Sequence, residues 1–467
     1  MNQKQVDLGS GRVGKLLFSL ALPTITSQIV NMLYNLVDRV YIGHMQPADT
    51  VGKLALTGVG VCLPVIMIIS AFAALMAMGG APRASIQEGR GNPREAERIM
   101  GGCLTLLLLT SVVLTAAFQL FAQPLLLTFG ASENTIGYAL SYMRIYSLGT
   151  VFVQLTLGMN AYITAQGFTS VSMRTVLIGA VLNTILDPIF IFGFGLGVRG
   201  AALATILSQA VSAAWVLRFL TGKQTKWRLR RENLRPRAAV VLPCLALGLS
   251  PFIMQSTESL IAVCFNSSLL KYGGDIAVGA MTVLTSIMQF AMMPLQGLTQ
   301  GAQPIISFNF GAKNAQRVRD AFSVLLRACL IYSLTMWALV QLFPQLFALI
   351  FNNAPELVSY TAWALRIYMA ASGIFGIQIA CQQTFIALGN AKTSLFLAVL
   401  RKIILLIPLI YILPHFFSNK VFAVFLAEPV ADALAVTATA VTFFLQFRPA
   451  MARLEESRAD GNPDTSL

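Results

Sequence analysis

Runs of roughly 20 apolar residues recur along almost the whole chain, each long enough as a helix to cross ~30 Å of hydrocarbon. They fall at about 16–40, 54–79, 99–121, 137–160, 170–193 and 198–220, then 240–265, 277–305, 319–343, 357–381, 392–413 and 421–446. About twelve such runs carry far too much apolar surface for one watery globule, and the composition agrees: 56% hydrophobic, 11% charged, mean hydropathy +0.71. Only helices or closed barrels satisfy their backbone inside lipid. Runs of this length predict an all-α integral membrane protein with twelve transmembrane helices.

The net charge of +14 does not point to nucleic acid, because the basic residues are dispersed among short loops instead of gathered in one soluble domain. Read as a topology signal, they place the segment "TGKQTKWRLRRENLRPR" in the cytoplasm. Arg83, Arg90, Arg94 and Arg98 put the 2–3 connection on the same side, as Lys313, Arg317 and Arg319 do for the 8–9 connection. The opposite loops, near 122–136 and 344–356, contain no Lys or Arg. Both termini are then expected inside, with the first helix kept as an anchor, since residues 1–15 are polar and no small-residue cleavage pattern follows. The six cysteines lie within apolar runs and read as small core residues, with no disulfide or metal site inferred.

The halves resemble each other. "YMRIYSLGTVFVQLTLGMNAYITAQGFTS" (142–170) aligns without gaps with "ALRIYMAASGIFGIQIACQQTFIALGNAK" (364–392), matching Arg144, Ile145 and Tyr146 to Arg366, Ile367 and Tyr368. At the same spacing "GRGNPREAERI" (89–99) faces "GAKNAQRVRDA" (311–321). Six spans per half return the chain to its starting side, so the copies are parallel repeats related by an axis along the membrane normal, an arrangement typical of transporters. The expected organisation is a six-helix bundle at 1–222, a basic cytoplasmic linker at 223–237, a second bundle at 238–450 and a cytoplasmic tail at 451–467. One chain then suffices for a complete cavity, so a functional monomer is expected.

An Asp near the middle of a lone membrane helix costs ~2.5–3.5 kcal/mol on insertion scales, so it needs a partner, water or a proton. The acids in such places are Asp38, Asp187, Glu258, Glu428 and Asp432. On helix 1, Gln28, Asn31, Asn35 and Asp38 step by three or four and form a polar stripe. On helix 5, Asn183 and Asp187 stand four apart, and Pro188 frees a carbonyl one turn back. Carboxylate, amide and hydroxyl oxygens suit a hard cation, so the pattern points to a sodium or proton site, with buried hydrogen-bonding glue as the other reading. Glu258, with Gln255 and Ser259 beside it, is a candidate proton or cationic-substrate site in the second half. Glu428 and Asp432, four apart, are candidate cavity acids that could equally be rim charges near water. Aligning Pro23 with Pro251 puts Asn266 opposite Asp38, so the acidic design is not repeated. Met and Phe in stretches such as "IMQFAMMPL" can accommodate organic ligands, though lipid-facing packing explains them as well.

The segments "ALPTITSQIVNMLYNLVDRVYIG", "GMNAYITAQG", "NTILDPIFIFGFGLGVRGAALATILSQ" and "IQIACQQTFIALGNAK" together resemble the multidrug and toxic compound extrusion (MATE) family, and within it the MepA-like bacterial branch. The resemblance spans nearly the full length. It implies a V-shaped pair of six-helix bundles in the bacterial plasma membrane, alternating between inward and outward openings while exchanging sodium or protons for amphipathic, often cationic, drugs. The family's first-helix acid falls on Asp38, its partner positions on Asn160, Asn183, Asp187 and Thr205, and the seventh-helix acid of several branches on Glu258. One bacterial branch has a further acid in helix 10, where this sequence offers neutral Gln378, Gln382 and Gln383. A flippase for lipid-linked oligosaccharides is the alternative, supported by Arg144, Arg366, Arg401 and Lys402. An enzyme is disfavoured, since no His–acid–nucleophile set or phosphate loop is visible, and no cofactor beyond the coupling ion is expected.

Overall fold

A computed structural model describes residues 6–351 and 354–459, so the expected tail lies outside the described residues from 460 onward. All regular elements among the described residues are helical. In the first half α1 is Val13–Gly43, α2 is Leu63–Gly89 entered through Lys53–Val61, and α3 is Pro93–Thr128. Ile136–Leu148 continued by Thr150–Ala165 forms α4, followed by α5 (Thr169–Pro188) and α6 (Val198–Thr221). The run Ala238–Gly311 contains two spans, α7 and α8, divided at Gly274, whose φ of +67° no helix interior accepts. Then come α9 (Ala315–Leu342) and α10, in which Pro355–Tyr368 and Phe375–Ala387 are joined through a sharp bend. In α11, Ala391–Val399 continues through the wide turns of Leu400–Leu406 into Ile407–Ile412, and α12 is Lys420–Ala459. The fold is thus the expected twelve-helix membrane protein.

The duplication is written into the backbone and its contacts as well as the sequence. At the spacing that aligns Arg144 with Arg366, the Gln119 amide donates to Arg144 O at 2.7 Å and the Gln341 amide to Arg366 O at 2.9 Å. The Asn160 amide donates to Ser172 O at 3.4 Å, and the corresponding Gln382 to Ser394 O at 2.8 Å. The α2–α3 and α8–α9 turns both need a left-handed residue: Gly91 supplies it in the first copy (φ +80°) and Lys313 in the second (φ +54°). The Lys313 ammonium is also anchored, at 2.7 Å from Ser457 Oγ.

Packing divides the described chain into two compact units, but not at the basic linker. Thr26–Gln255 gathers into the first unit, and Leu8–Ile25 with Ser256 onward into the second. The boundaries therefore cut α1 and α7, each of which gives its first half to the other copy's helices. Small residues explain why. Within the first unit, a Cβ on Gly79 would run into Cys244 O and one on Gly248 into Leu75 O, so α2 and the first half of α7 cross backbone to backbone. Within the second, Gly301 and Gly297 of α8 do the same against Ala21 and Ile25 of α1. Thr24 Oγ1 adds a hydrogen bond to Gly297 O at 2.6 Å.

The linker is not a loose strand. The buried Gln166 carbonyl oxygen accepts from Thr225 Oγ1 (2.8 Å), Lys226 N (2.8 Å) and Trp227 N (3.1 Å), and Trp227 is fully buried in the first unit's core. Lys226 pairs with Glu88 at 3.2 Å, while Glu97 takes Arg228 N at 2.9 Å and Arg230 at 3.2 Å. Part of its positive charge thus straps it to α2 and α3, and its backbone to the end of α4.

Candidate functional site

In the first unit, the four-residue spacing of Asn183 and Asp187 puts both on one face of α5, where both are buried. The Asn183 amide donates to Asp187 Oδ1 at 3.2 Å and to Thr205 Oγ1 on α6 at 3.4 Å. The Thr205 hydroxyl donates its own proton to Ala201 O at 3.0 Å, one turn back. From α1, the Asp38 carboxyl comes within hydrogen-bonding reach of Asp187. Arg39 is exposed and forms no ion pair with Asp38 among the described residues. After Asp187, Pro188 ends the regular hydrogen-bond ladder and Ile189–Gly193 widens into π-helical turns, a local irregularity placed directly beside the acids.

Every donor in this group is used and the remainder are acceptors. Asp38 Oδ1, Asp187 Oδ2 and the Asn183 carbonyl oxygen are buried with nothing donating to them. Buried acceptors left this way are costly, and two carboxyl groups in contact cannot both stay ionised without a compensating positive charge. A proton or an oxygen-seeking cation answers that arrangement.

The rest of the α1 stripe behaves differently. Gln28 and Asn31 are half-buried, and Asn35 turns its amide back to Asn31 O at 2.7 Å; Asp38 is the member that meets α5. Asn160 stands apart. Its amide binds Ser172 O, about three turns along α5 from Asn183, and its own carbonyl oxygen is buried without a donor.

In the second unit Glu258 of α7 sits 2.6 Å from Lys402 Nζ, with the Glu258 side chain 49% exposed and that of Lys402 only 7%. Gln255, three residues earlier on the same helix, is half-buried and belongs to the first unit. Glu428 and Asp432 are not rim charges: both are buried on α12 and hold Arg401, Asp432 Oδ1 at 2.7 Å from Nε and Glu428 Oε1 at 3.2 Å from Nη2. The Arg401 guanidinium also stacks 4.5 Å from the Phe375 ring centroid. In the sequence these five residues fall on three separate helices, α7, α11 and α12, and nothing local shows their union. A charge count over the spans could have found it, since two bases buried in lipid-embedded helices demand acids.

The MatE family model matches residues 23–189 and again 251–412, once in each half. Multidrug export protein MepA of Staphylococcus haemolyticus is 23% identical over 90% of this chain and 92% of its own length, and that of Staphylococcus aureus strain NCTC 8325 is 24% identical over 93% and 95%. The MATE multidrug transporter DinF-BH, solved in complex with a ligand, is 34% identical, with a TM-score of 0.87 over 96% of this chain and 98% of that one. A MATE crystal structure in the bent conformation shares the fold at a TM-score of 0.89, with 23% identity over 98% and 100%. With one family model matched in both copies of its repeat, this chain belongs to the MatE family of membrane transporters.

Proposed function

We propose that the protein is a secondary active exporter of amphipathic, mainly cationic drugs, driven by protons or sodium ions entering from outside. The observation that carries this reading is the acceptor-only group of Asp38, Asp187 and Asn183, whose buried oxygens lack donors. Occupation by an ion stabilises the arrangement of α1 and α5 in which the carboxyl groups converge, so the ion has the differential affinity between states that coupling requires. The π-helical turns after Pro188 give α5 a place to yield when the ion leaves. The similar proteins named multidrug export protein MepA, and the multidrug transporter solved in complex with a ligand, support an organic-drug cargo.

Arg401 and Lys402 are the buried bases that would suit a polyanionic lipid headgroup, but carboxylates hold both. That favours drug export over lipid flipping. In this reading the chain works as a monomer in a bacterial plasma membrane, with the linker and both termini facing the cytoplasm.

The test is uptake of a fluorescent lipophilic cation into proteoliposomes, driven separately by pH and by sodium gradients, with wild type beside Asp38→Asn. Gradient-driven uptake that disappears in the variant supports coupling at Asp38, and the effective gradient names the ion. Wild type without gradient-driven uptake overturns the reading.

A further inference from the structure

Arg401 and Lys402 are adjacent in sequence, and on a regular helix their side chains would diverge by roughly 100°. Here both are buried, within the widened turns of Leu400–Leu406. π-helical turns recur at functional sites because they redirect side chains in this way. The two cations meet three carboxyl groups, Glu258, Glu428 and Asp432. Arg401 is held by the two deep ones, while Lys402 reaches across to the half-exposed Glu258 and also lies within electrostatic reach of Glu428. Lys402 therefore acts electrostatically on a second carboxylate besides Glu258, and with all three acids ionised the network lacks one positive charge.

Glu258 stands in the middle of an apolar span with half its side chain open. An ionised group so placed faces water, not hydrocarbon. Its carboxylate is thus accessible to a ligand while its partner is not.

We propose that Lys402 is a tethered competitor for a cation subsite at Glu258. The chain's own ammonium occupies the carboxylate until an organic monocation displaces it, and Lys402 then turns toward Glu428 and Asp432. The charge balance supports one guest: three carboxylates against Arg401, Lys402 and one bound monocation come to zero. The competitor also sets specificity. A small inorganic cation brings only charge and has to beat an ammonium already held at 2.6 Å, whereas an amphipathic cation adds apolar burial that Lys402 cannot match. This rests on the proposal that the cargo is cationic, but not on where the driving ion binds.

The test is equilibrium binding of tetraphenylphosphonium, a fixed monocation, to purified protein in nanodiscs by calorimetry without any gradient. Lys402→Met is expected to bind about tenfold or more tightly than wild type, on the scale of close charge pairs at interfaces. Glu258→Gln is expected to bind more weakly, and the gain from Lys402→Met to shrink below about threefold in the Glu258→Gln background. Lys402→Arg, which keeps the competing charge, is expected to return to near wild-type affinity and shows that the site is folded. Equal or weaker binding by Lys402→Met, with wild type binding normally, overturns the competitor role alone. Binding by neither protein overturns the cationic-cargo reading, and this proposal with it.

Discussion

Arg401 holds two carboxylates where neither sees water: the side chains of Arg401, Glu428 and Asp432 are 7%, 5% and 3% exposed. Replacing it with Met keeps most of the stem's volume and leaves an apolar neighbour for Phe375, so the change removes chiefly the guanidinium charge and its hydrogen bonds. Two like charges four residues apart on α12 then remain in a low dielectric. Removing one partner of a buried pair costs ~3–5 kcal/mol, and because one cation here serves two acids the upper figure applies, about 5 kcal/mol. That is a shift of roughly a thousandfold or more in the folded-to-unfolded ratio. Denaturant unfolding of the purified protein in lipid nanodiscs, followed by Trp fluorescence, reads the loss directly. The companion variant carries Glu428→Gln and Asp432→Asn as well. With no charge left to compensate, it is expected to regain most of the lost stability, as neutral replacements of buried ion triads do. An Arg401→Met protein within about 1 kcal/mol of wild type would refute the reasoning, as would a triple variant no more stable than the single one.

The two units should also separate in ion binding: Asp38→Asn or Asp187→Asn abolishes binding of the coupling ion, read as proton release or sodium-dependent heat, whereas Glu258→Gln retains it. Equal loss from both units would count against the division of labour. Gln166→Leu strands two backbone donors of the linker, Lys226 N and Trp227 N, at ~1–3 kcal/mol each, while the Thr225 hydroxyl keeps Trp227 O, and limited proteolysis should cut near Lys223 and Lys226 at least tenfold faster than in wild type. Gly301→Leu forces a side chain between α8 and α1 and should cost ~1–3 kcal/mol or more, seen as a lower fraction of monodisperse protein and earlier thermal unfolding.

The spans and the repeat were legible because each follows from a rule local in sequence: apolar length and self-similarity at one spacing. Asp187 and Asn183 were legible for the same reason, since four residues on a helix define one face. What the sequence did not show depends on contacts between distant helices. The exchange of the first halves of α1 and α7 turns on backbone approaches at Gly79, Gly248, Gly297 and Gly301, and among 35 glycines nothing local marks these four. Trp227 lies in a segment that reads as a basic loop, and its burial depends on Gln166, far earlier in the chain. For Glu428 and Asp432 the sequence leaves cavity and rim roles equally open, because α12 alone cannot reveal that the wide turns of α11 present Arg401 to them.

Both copies of the repeat place acids in the membrane, and they meet the resulting cost in opposite ways. The first unit surrounds Asp38 and Asp187 with Asn183 and Thr205, groups that can hydrogen-bond but cannot neutralise. Under the proposed function, the positive charge that Asn183 and Thr205 cannot supply is brought by the driving proton or sodium ion. The second unit supplies cations from its own chain, Arg401 to Glu428 and Asp432 and Lys402 to Glu258, and under the tethered-competitor proposal an arriving ligand displaces Lys402. An exchanger needs one site that senses the driving ion and another that ignores it while remaining open to cargo. On the proposed division of tasks, a duplicated backbone with Asp187 in one copy and Arg401 and Lys402 in the other separates ion from cargo by changing a few side chains while keeping hydrogen bonds such as Asn160 to Ser172 and Gln382 to Ser394 in register.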